Sequence, residues 1–118
     1  MVSGNKPHIL CVSWDSNLAQ SRERLFRHYG YEVTSATGRY EAIERCKTKA
    51  DLLVLGHSVP QEEKRKIIHC YRMANDSPVL SLLRPGEVKL AEAEYGIEYM
   101  NPELLMSTVH WIVPISLN

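Results

Sequence analysis

Short apolar runs alternate with longer amphipathic segments from one end of this sequence to the other. The most continuously apolar run, residues 51–56 (DLLVLG), is typical of a parallel strand covered by helices on both faces, since it has no polar side. Four more runs with the features of strands are spread along the chain, and a segment with helical spacing follows each strand. This alternation predicts an α/β fold.

The predicted elements fill most of the chain. Asp15 or Ser16 can cap the first helix and Gly30 ends it, while Asn101 and Pro102 supply the cap and first position of the last helix, which Pro114 terminates. The predicted strands are residues 8–13, 31–36, 51–56, 78–83 and 97–100, and the helical segments are residues 16–29, 40–49, 61–75, 87–94 and 102–113.

Five strands and five helices in this order predict a doubly wound, five-stranded parallel sheet with right-handed crossovers and strand order 2-1-3-4-5. In such a sheet, functional sites collect at the carboxyl ends of strands one and three, where the strand order reverses. For this chain those ends are residues 13–15 and 56–58.

Length and charge restrict the function. With 118 residues, we expect a single domain over residues 1–118 with one core at about residues 6–113. Fourteen basic and fourteen acidic residues give no argument for binding nucleic acid or a membrane. No apolar run is long enough for a signal peptide or a membrane span, so we expect a cytoplasmic protein.

The cysteines do not form a recognisable framework. Cys11, Cys46 and Cys70 are odd in number and lack CxxC spacing, which favours buried, reduced thiols over disulfides or zinc ligands. His69 and Cys70 are adjacent on a predicted helix and point apart, so no metal site is expected there. The sequence has no GxGxxG, P-loop or GxSxG pattern, and we expect no cofactor and no enzymatic activity.

From Lys6 to about Val113 the sequence resembles the receiver (CheY-like) domain of two-component response regulators, which has the flavodoxin-like fold. ILCVSWDS resembles the first strand with its acidic turn, and DLLVLGHSVP resembles the strand and loop that carry the phosphoacceptor aspartate. PVLSLL resembles the fourth strand, and EYMNP resembles the fifth strand with its lysine–proline pair. The resemblance also implies a cis peptide bond before Pro102.

Matching the family's active site residue by residue implies a degenerate receiver. Phosphorylation needs a nucleophilic aspartate, carboxylates for magnesium, a hydroxyl group and a lysine. The nucleophile maps onto Gly56, which has no side chain, and only Asp15 remains as a nearby carboxylate. Trp14 is expected to fill or cover the pocket. The remaining matches place Ser13 and Trp14 at the acidic pair, Leu83 at the hydroxyl position, with Ser81 on the same face, and Asn101 at the lysine position.

The resemblance implies a stand-alone, degenerate receiver in two-component or phosphorelay signalling that acts through protein contacts. Its partners would be a histidine kinase, another regulator or a second copy in a homodimer, and not nucleic acid or a membrane. No DNA-binding or enzymatic output domain fits into the remaining residues, although the chain can also be a fragment of a larger regulator. The partner-binding candidates are Glu98, Tyr99, Met100 and Trp111.

Two alternatives remain open. The first is a receiver phosphorylated at a non-standard residue, His57, Ser58 or Asp15; against it, we interpret Ser58 as part of a capping motif and His57 as a loop residue at the mouth of the pocket. The second is a small-molecule binder that uses the crevice of the flavodoxin-like fold. The cluster EEKRK, residues 62–66, is interpreted as a solvated face with local ion pairs.

Overall fold

The computed structural model describes residues 6–115, which form one parallel sheet with helices on both faces. In chain order the elements are β1 (His8–Ser13), α1 (Ser16–His28), β2 (Glu32–Thr37), α2 (Gly38–Arg45), β3 (Leu52–Leu55), α3 (Gln61–Arg72), β4 (Val79–Leu83), β5 (Tyr95–Glu98) and α4 (Pro102–Ile112). The strand order is β2-β1-β3-β4-β5, with all neighbours parallel, which confirms the predicted doubly wound sheet.

The core has two layers, one on each face of the sheet. On one face, α2 and α3 contribute Ala42, Ile67 and Tyr71 to a buried cluster. On the other face, α1 and α4 contribute Phe26 and Leu105 to a second cluster. Every residue of β3 is buried, as predicted for the central strand. Burying each of these large apolar side chains contributes about 1.5–3 kcal/mol to folding.

The prediction of a helix over residues 87–94, the fourth in chain order, is wrong. Within the described part of the chain there are four helices, and the segment between β4 and β5 consists of turns, bends and backbone without regular secondary structure. Pro85 and Gly86 open the segment with a turn, in which Gly86 has a φ of +84°. Eight residues of modest amphipathicity give too little helix-stabilising packing to offset the cost of nucleation, particularly with Val88 exposed.

The expectation that all three cysteines are reduced is wrong for Cys46 and Cys70. Cys46 follows α2, Cys70 lies in α3, and the two form a disulfide with Cα atoms 5.7 Å apart. The adjacent packing of α2 and α3 brings them together, which their separation of 24 residues does not reveal. Cys11 is free and buried, and burial raises its pKa to about 11.

The peptide bond before Pro102 differs from the expectation taken from the resemblance, because no cis peptide bond occurs in residues 6–115. Pro102 instead occupies the start of α4, and Asn101 caps this helix by accepting a hydrogen bond from the Leu104 N–H at 3.0 Å, as predicted. No helix within the described residues has the length and apolar character required to cross a membrane.

Candidate functional site

The carboxyl ends of β1 and β3 lie side by side, as the strand order predicts. The Gly56 N–H donates to the Val12 carbonyl at 2.8 Å, which continues the pairing of the two strands. The Ser58 hydroxyl accepts from the Trp14 N–H at 2.9 Å and lies 3.1 Å from the Ser13 hydroxyl. These contacts hold the loop after β3 against the loop after β1.

Ser58 therefore does not cap α3, and its interpretation as part of a capping motif is wrong. The N-cap of α3 is Pro60, which makes no side-chain capping hydrogen bond. The two loops lie close enough for the Ser58 hydroxyl to satisfy groups on the β1 side. Asp15, by contrast, caps α1 as predicted, accepting from the N–H groups of Asn17 and Leu18 at 2.9 and 3.2 Å.

Arg22 occupies the space beside Gly56. A Cβ atom built on Gly56 would lie 2.9 Å from Arg22 Nη1 and 3.1 Å from the Val12 carbonyl oxygen. Real Cβ contacts are longer than the first of these distances, so any side chain at position 56 would displace the guanidinium. The arginine reaches this point from α1, on the same helix face as buried Ala19 and Phe26.

The Arg22 side chain is a buried cation with few partners. Only 6% of the residue is exposed, and its Nη2 lies 3.3 Å from His57 Nδ1. Within residues 6–115, its Nη1 has no hydrogen-bond partner and no carboxylate forms a salt bridge with it. Burial lowers the pKa of Arg22, and the charge of Asp15 acts in the opposite direction.

His57 connects this cation to the loop after β5. Its ring stacks on Tyr99, with ring centroids 3.6 Å apart and an interplanar angle of 16°. Burial lowers the pKa of His57, and the positive charges of Arg22, Arg84 and Lys64 lower it further. The imidazole therefore favours the neutral form, in which Nδ1 can accept a hydrogen bond from the guanidinium.

Lys64 adds a second buried cation on the β4 side. Its Nζ donates to the Ser81 hydroxyl at 2.8 Å and to the Leu82 carbonyl at 2.9 Å. Only 1% of the residue is exposed, and burial lowers its pKa to about 8. Lys64 thus belongs to the interior, which contradicts the interpretation of residues 62–66 as a solvated face.

Glu63 in the same cluster is buried as well, and it accepts two hydrogen bonds from the Arg39 guanidinium at 2.8 and 3.0 Å. That pair joins α2 to α3 and is not local. Arg65 pairs with Glu92, which lies in the segment that was predicted to be a helix, residues 87–94. Lys66 and Glu63 form the one ion pair in the described part of α3 that has the expected local spacing.

The edge formed by β1, β3 and β4 is therefore positively charged. Arg22, Lys64 and Arg84 all act on His57, and Asp15 is the carboxylate that acts on it in the opposite sense. Among residues 6–115, no three histidine, cysteine or acidic side chains come together as a metal site. Magnesium binds to oxygen ligands, chiefly carboxylates, and the two buried cations would repel it.

Comparison with known structures identifies the fold. A two-component response regulator from Clostridium difficile superposes with a TM-score of 0.78 at 19% identity, covering 92% of this chain and 96% of that one. The chemotaxis protein CheY4 from Vibrio cholerae gives 0.69 at 20% identity, covering 92% and 100%. The chain therefore has the receiver-type, CheY-like fold. A receiver protein from Burkholderia phymatum agrees, with a TM-score of 0.75 at 20% identity over 94% and 98%.

Sequence comparison finds similarity to a regulatory protein. This receiver-type domain is 32% identical over 98 residues to the transcriptional regulatory protein PrrA of Mycobacterium leprae. The alignment covers 80% of this chain and 42% of PrrA, so the chain spans less than half of the length of that relative. No family model matches the sequence.

Other predicted site residues of the receiver-type domain lie around the same edge. Leu83, at the end of β4, is buried, and Ser81 is engaged by Lys64. Asn101 caps α4. Trp14 is partly buried and packs against the cluster between the sheet and the α2–α3 layer.

The predicted partner-binding residues lie in three different settings. Glu98 and Met100 are exposed, with Met100 at 58%. Tyr99 is half-buried by its stacking on His57. Trp111 is 72% exposed on α4, and its ring contacts Tyr95 edge to face at 5.7 Å between centroids.

Sequence reasoning missed Arg22 and Lys64, although helical spacing contains the signal for both. Arg22 lies three residues after Ala19 and four before Phe26, so it falls on the buried face of α1. Lys64 precedes Ile67, Ile68 and Tyr71 by three, four and seven residues, which places it on the buried face of α3. A cation on a helix face that is otherwise apolar marks a candidate buried charge.

Proposed function

We propose that this receiver-type domain works in two-component or phosphorelay signal transduction by binding other proteins, without phosphorylation of an aspartate. One observation carries the proposal: the Arg22 guanidinium occupies the space that a side chain on residue 56 would need. An acyl phosphate at this position would require both a carboxylate and room for a phosphoryl group. Gly56 supplies neither.

The surrounding residues support the same proposal. In the match to the receiver family, Ser13 and Trp14 replace the acidic pair, Leu83 replaces the hydroxyl residue and Asn101 replaces the lysine. The buried cations Arg22 and Lys64 then make the edge unfavourable for magnesium. We therefore propose a degenerate receiver that signals without the standard phosphorylation of an aspartate.

The alternative is phosphorylation at His57, Ser58 or Asp15. Each of these side chains has a structural contact that competes with such a role. His57 stacks on Tyr99, the Ser58 hydroxyl accepts from Trp14, and the Asp15 carboxylate caps α1.

The test is intact-protein mass spectrometry after incubation with acetyl phosphate and magnesium, beside a receiver domain that has its aspartate as the positive control. We expect no mass increase for this chain while the control gains a phosphoryl group. A gain of one phosphoryl group, mapped by fragmentation to His57, Ser58 or Asp15, would establish the alternative instead.

For the partner, we propose a kinase, another regulator or a second copy of this chain, bound at the exposed end of β5 and the outer face of α4. The exposed Trp111, Met100 and Leu104 favour this surface, since large aromatic and apolar side chains contribute most to interfaces. Balanced charge gives no support for a nucleic-acid partner or a membrane.

A homodimer is the version of this proposal that needs no second protein to test. Sedimentation equilibrium of the wild-type chain and of Trp111→Ala should show a dimer that the substitution weakens. A chain that is monomeric at every concentration would exclude the homodimer, and the same variant would then be assayed against candidate kinases.

A further inference from the structure

The two edge strands of the sheet differ in how their outward backbone groups are satisfied. Within residues 6–115, β2 and β5 each pair with a single neighbouring strand. On β2, the Glu32 N–H donates toward β1, to the Pro7 carbonyl, so the odd-numbered residues point their backbone groups outward. Side chains bond to three of these groups, through contacts from Arg27 to the Val33 carbonyl, from Arg45 to the Ser35 carbonyl, and from the Thr37 N–H to Glu41. The β2 edge is therefore closed to a further strand.

The outward groups of β5 lack contacts of this kind. The Tyr99 N–H donates to the Leu83 carbonyl of β4, so by the same alternation Gly96 and Glu98 point their N–H and carbonyl groups away from the sheet. Among residues 6–115, no side chain and no backbone group outside the sheet bonds to these four groups. Every residue of β5 is at least partly exposed, and residues 84–94 form no helix that covers the edge. Such an edge is a template for another strand.

We propose that β5 pairs in antiparallel orientation with β5 of a second copy of this chain, which joins the two sheets across a twofold axis. The inference rests on the proposed function, because it specifies the contact of the homodimer. With the axis at Ile97, Gly96 of each copy lies opposite Glu98 of the other, and the two pairs exchange four backbone hydrogen bonds. This register satisfies all four outward groups of each edge.

Charge complementarity favours a second copy in this register. An ideal Cβ atom on Gly96 would lie 2.8 Å from Lys89 Cβ, so the Lys89 side chain passes directly beside Gly96. Its Nζ donates to the Ala93 carbonyl at 2.9 Å and retains two further N–H groups. Glu98 is exposed and forms no ion pair among residues 6–115. Because residues opposite each other share one face of the sheet, each Glu98 comes beside Lys89 of the other copy.

The other face of β5 supplies apolar contact. Ile97 and Tyr95 pack on the cluster below α1 and α4 and remain partly exposed. With the axis at Ile97, the two Ile97 side chains become direct cross-strand neighbours. Trp111, which is 72% exposed, contacts the Tyr95 ring, so the indole lies near this edge. β5 also contains neither lysine nor proline, the residues that commonly prevent pairing at exposed edges.

Glu98→Pro tests the strand pairing, because proline removes the outward N–H and is tolerated at a sheet edge. Sedimentation equilibrium should show a wild-type dimer, and a dissociation constant at least about tenfold higher for the variant, since each dimer loses two backbone hydrogen bonds. Ser35→Pro makes the same change on the β2 edge and is the matched control, which should dimerise like the wild type. Amide hydrogen exchange should show protection of Gly96 and Glu98 that increases with protein concentration.

A charge exchange tests the register without changing the backbone, and it decides if Glu98→Pro does not fold. Glu98→Lys and Lys89→Glu each bring like charges together, so each should dimerise more weakly than the wild type. An equimolar mixture of the two variants should form a heterodimer that is tighter than either homodimer, because both ion pairs are restored.

Four results would overturn the proposal. They are a chain that is monomeric at every concentration, a dimer whose Gly96 and Glu98 amides stay unprotected, a mixture no tighter than its components, and protection that appears only when a different protein is added. A dimer that Trp111→Ala weakens and Glu98→Pro does not would also exclude strand pairing while retaining the homodimer. The phosphodonor experiment tests the absence of phosphorylation separately.

Discussion

Arg22 Nη1 lies 2.9 Å from the point at which a Cβ atom on residue 56 would stand, so any side chain at position 56 would have to displace the Arg22 guanidinium. The two residues are 34 positions apart in the sequence. Arg22 lies in the middle of α1, and Gly56 directly follows β3. The proposed loss of phosphorylation at the end of β3 rests on this close approach.

This relationship predicts the result of a double-mutant cycle. Gly56→Ala should lower the free energy of unfolding by about 1–3 kcal/mol, because the new methyl group collides with Arg22 and approaches the Val12 carbonyl. In an Arg22→Ala background the same change should cost at least about 0.5 kcal/mol less, as expected for residues in contact. Urea denaturation of the four proteins measures both values. Additive effects would contradict the overlap of the two side chains.

Lys64 predicts a specific pH dependence of stability. Its pKa in the folded chain is about 8, against an ordinary value of 10.5, so the unfolded chain binds more protons between these pH values. Stability contributed by this group therefore rises as the pH increases from about 8 to 10.5. Compared with Lys64→Met, the wild-type chain should gain about 1–2 kcal/mol over this interval.

The measurement is the difference in unfolding free energy between wild type and Lys64→Met at each pH. A difference is needed because burial raises the pKa of Cys11 and Tyr31 to about 11 and 12, which lowers stability in the same alkaline range. Lys66→Met, at an exposed position of α3, serves as the matched control. If the unfolding free energy of wild type relative to Lys64→Met falls as the pH rises, burial does not destabilise the charged form of Lys64.

The disulfide between Cys46 and Cys70 predicts a measurable effect of reduction. A cross-link that spans 24 residues stabilises a fold by about 3 kcal/mol when it restricts the unfolded chain. The oxidised wild type should therefore have a higher midpoint of denaturation than the same protein in dithiothreitol. The double variant Cys46→Ser/Cys70→Ser should be insensitive to the reductant, and equal midpoints for the wild type in both conditions would contradict the pairing.

Much of the fold could be predicted from the sequence because the apolar spacing of its strands and helices is regular. The continuous run in β3 identified the central strand, and the caps at Asp15 and Asn101 located the starts of α1 and α4. The segment between β4 and β5 could not be predicted in this way. It contains Leu90, which packs on the core, but the contacts that fix its path, such as Arg65 with Glu92, come from α3.

The candidate site was less predictable for a related reason. Helical spacing places Arg22 and Lys64 on buried faces, but it does not show where a long side chain ends. The proximity of Arg22 to Gly56 and the bond from Lys64 to Ser81 depend on the packing of helices against strands that are distant in sequence. The Cys46–Cys70 pair depends on the same kind of packing, between α2 and α3.

The central claim is that the edge at β1 and β3 no longer supports magnesium-dependent phosphorylation. A magnesium titration followed by tryptophan fluorescence tests it most directly, because Trp14 lies in the loop after β1. Trp111→Phe leaves Trp14 as the single tryptophan. We predict no saturable change in its emission up to several millimolar magnesium, since the Arg22 guanidinium lies beside Gly56 and would repel the metal. A saturable change would show that Asp15 and neighbouring oxygens still hold the metal, and it would contradict the proposed loss of the site.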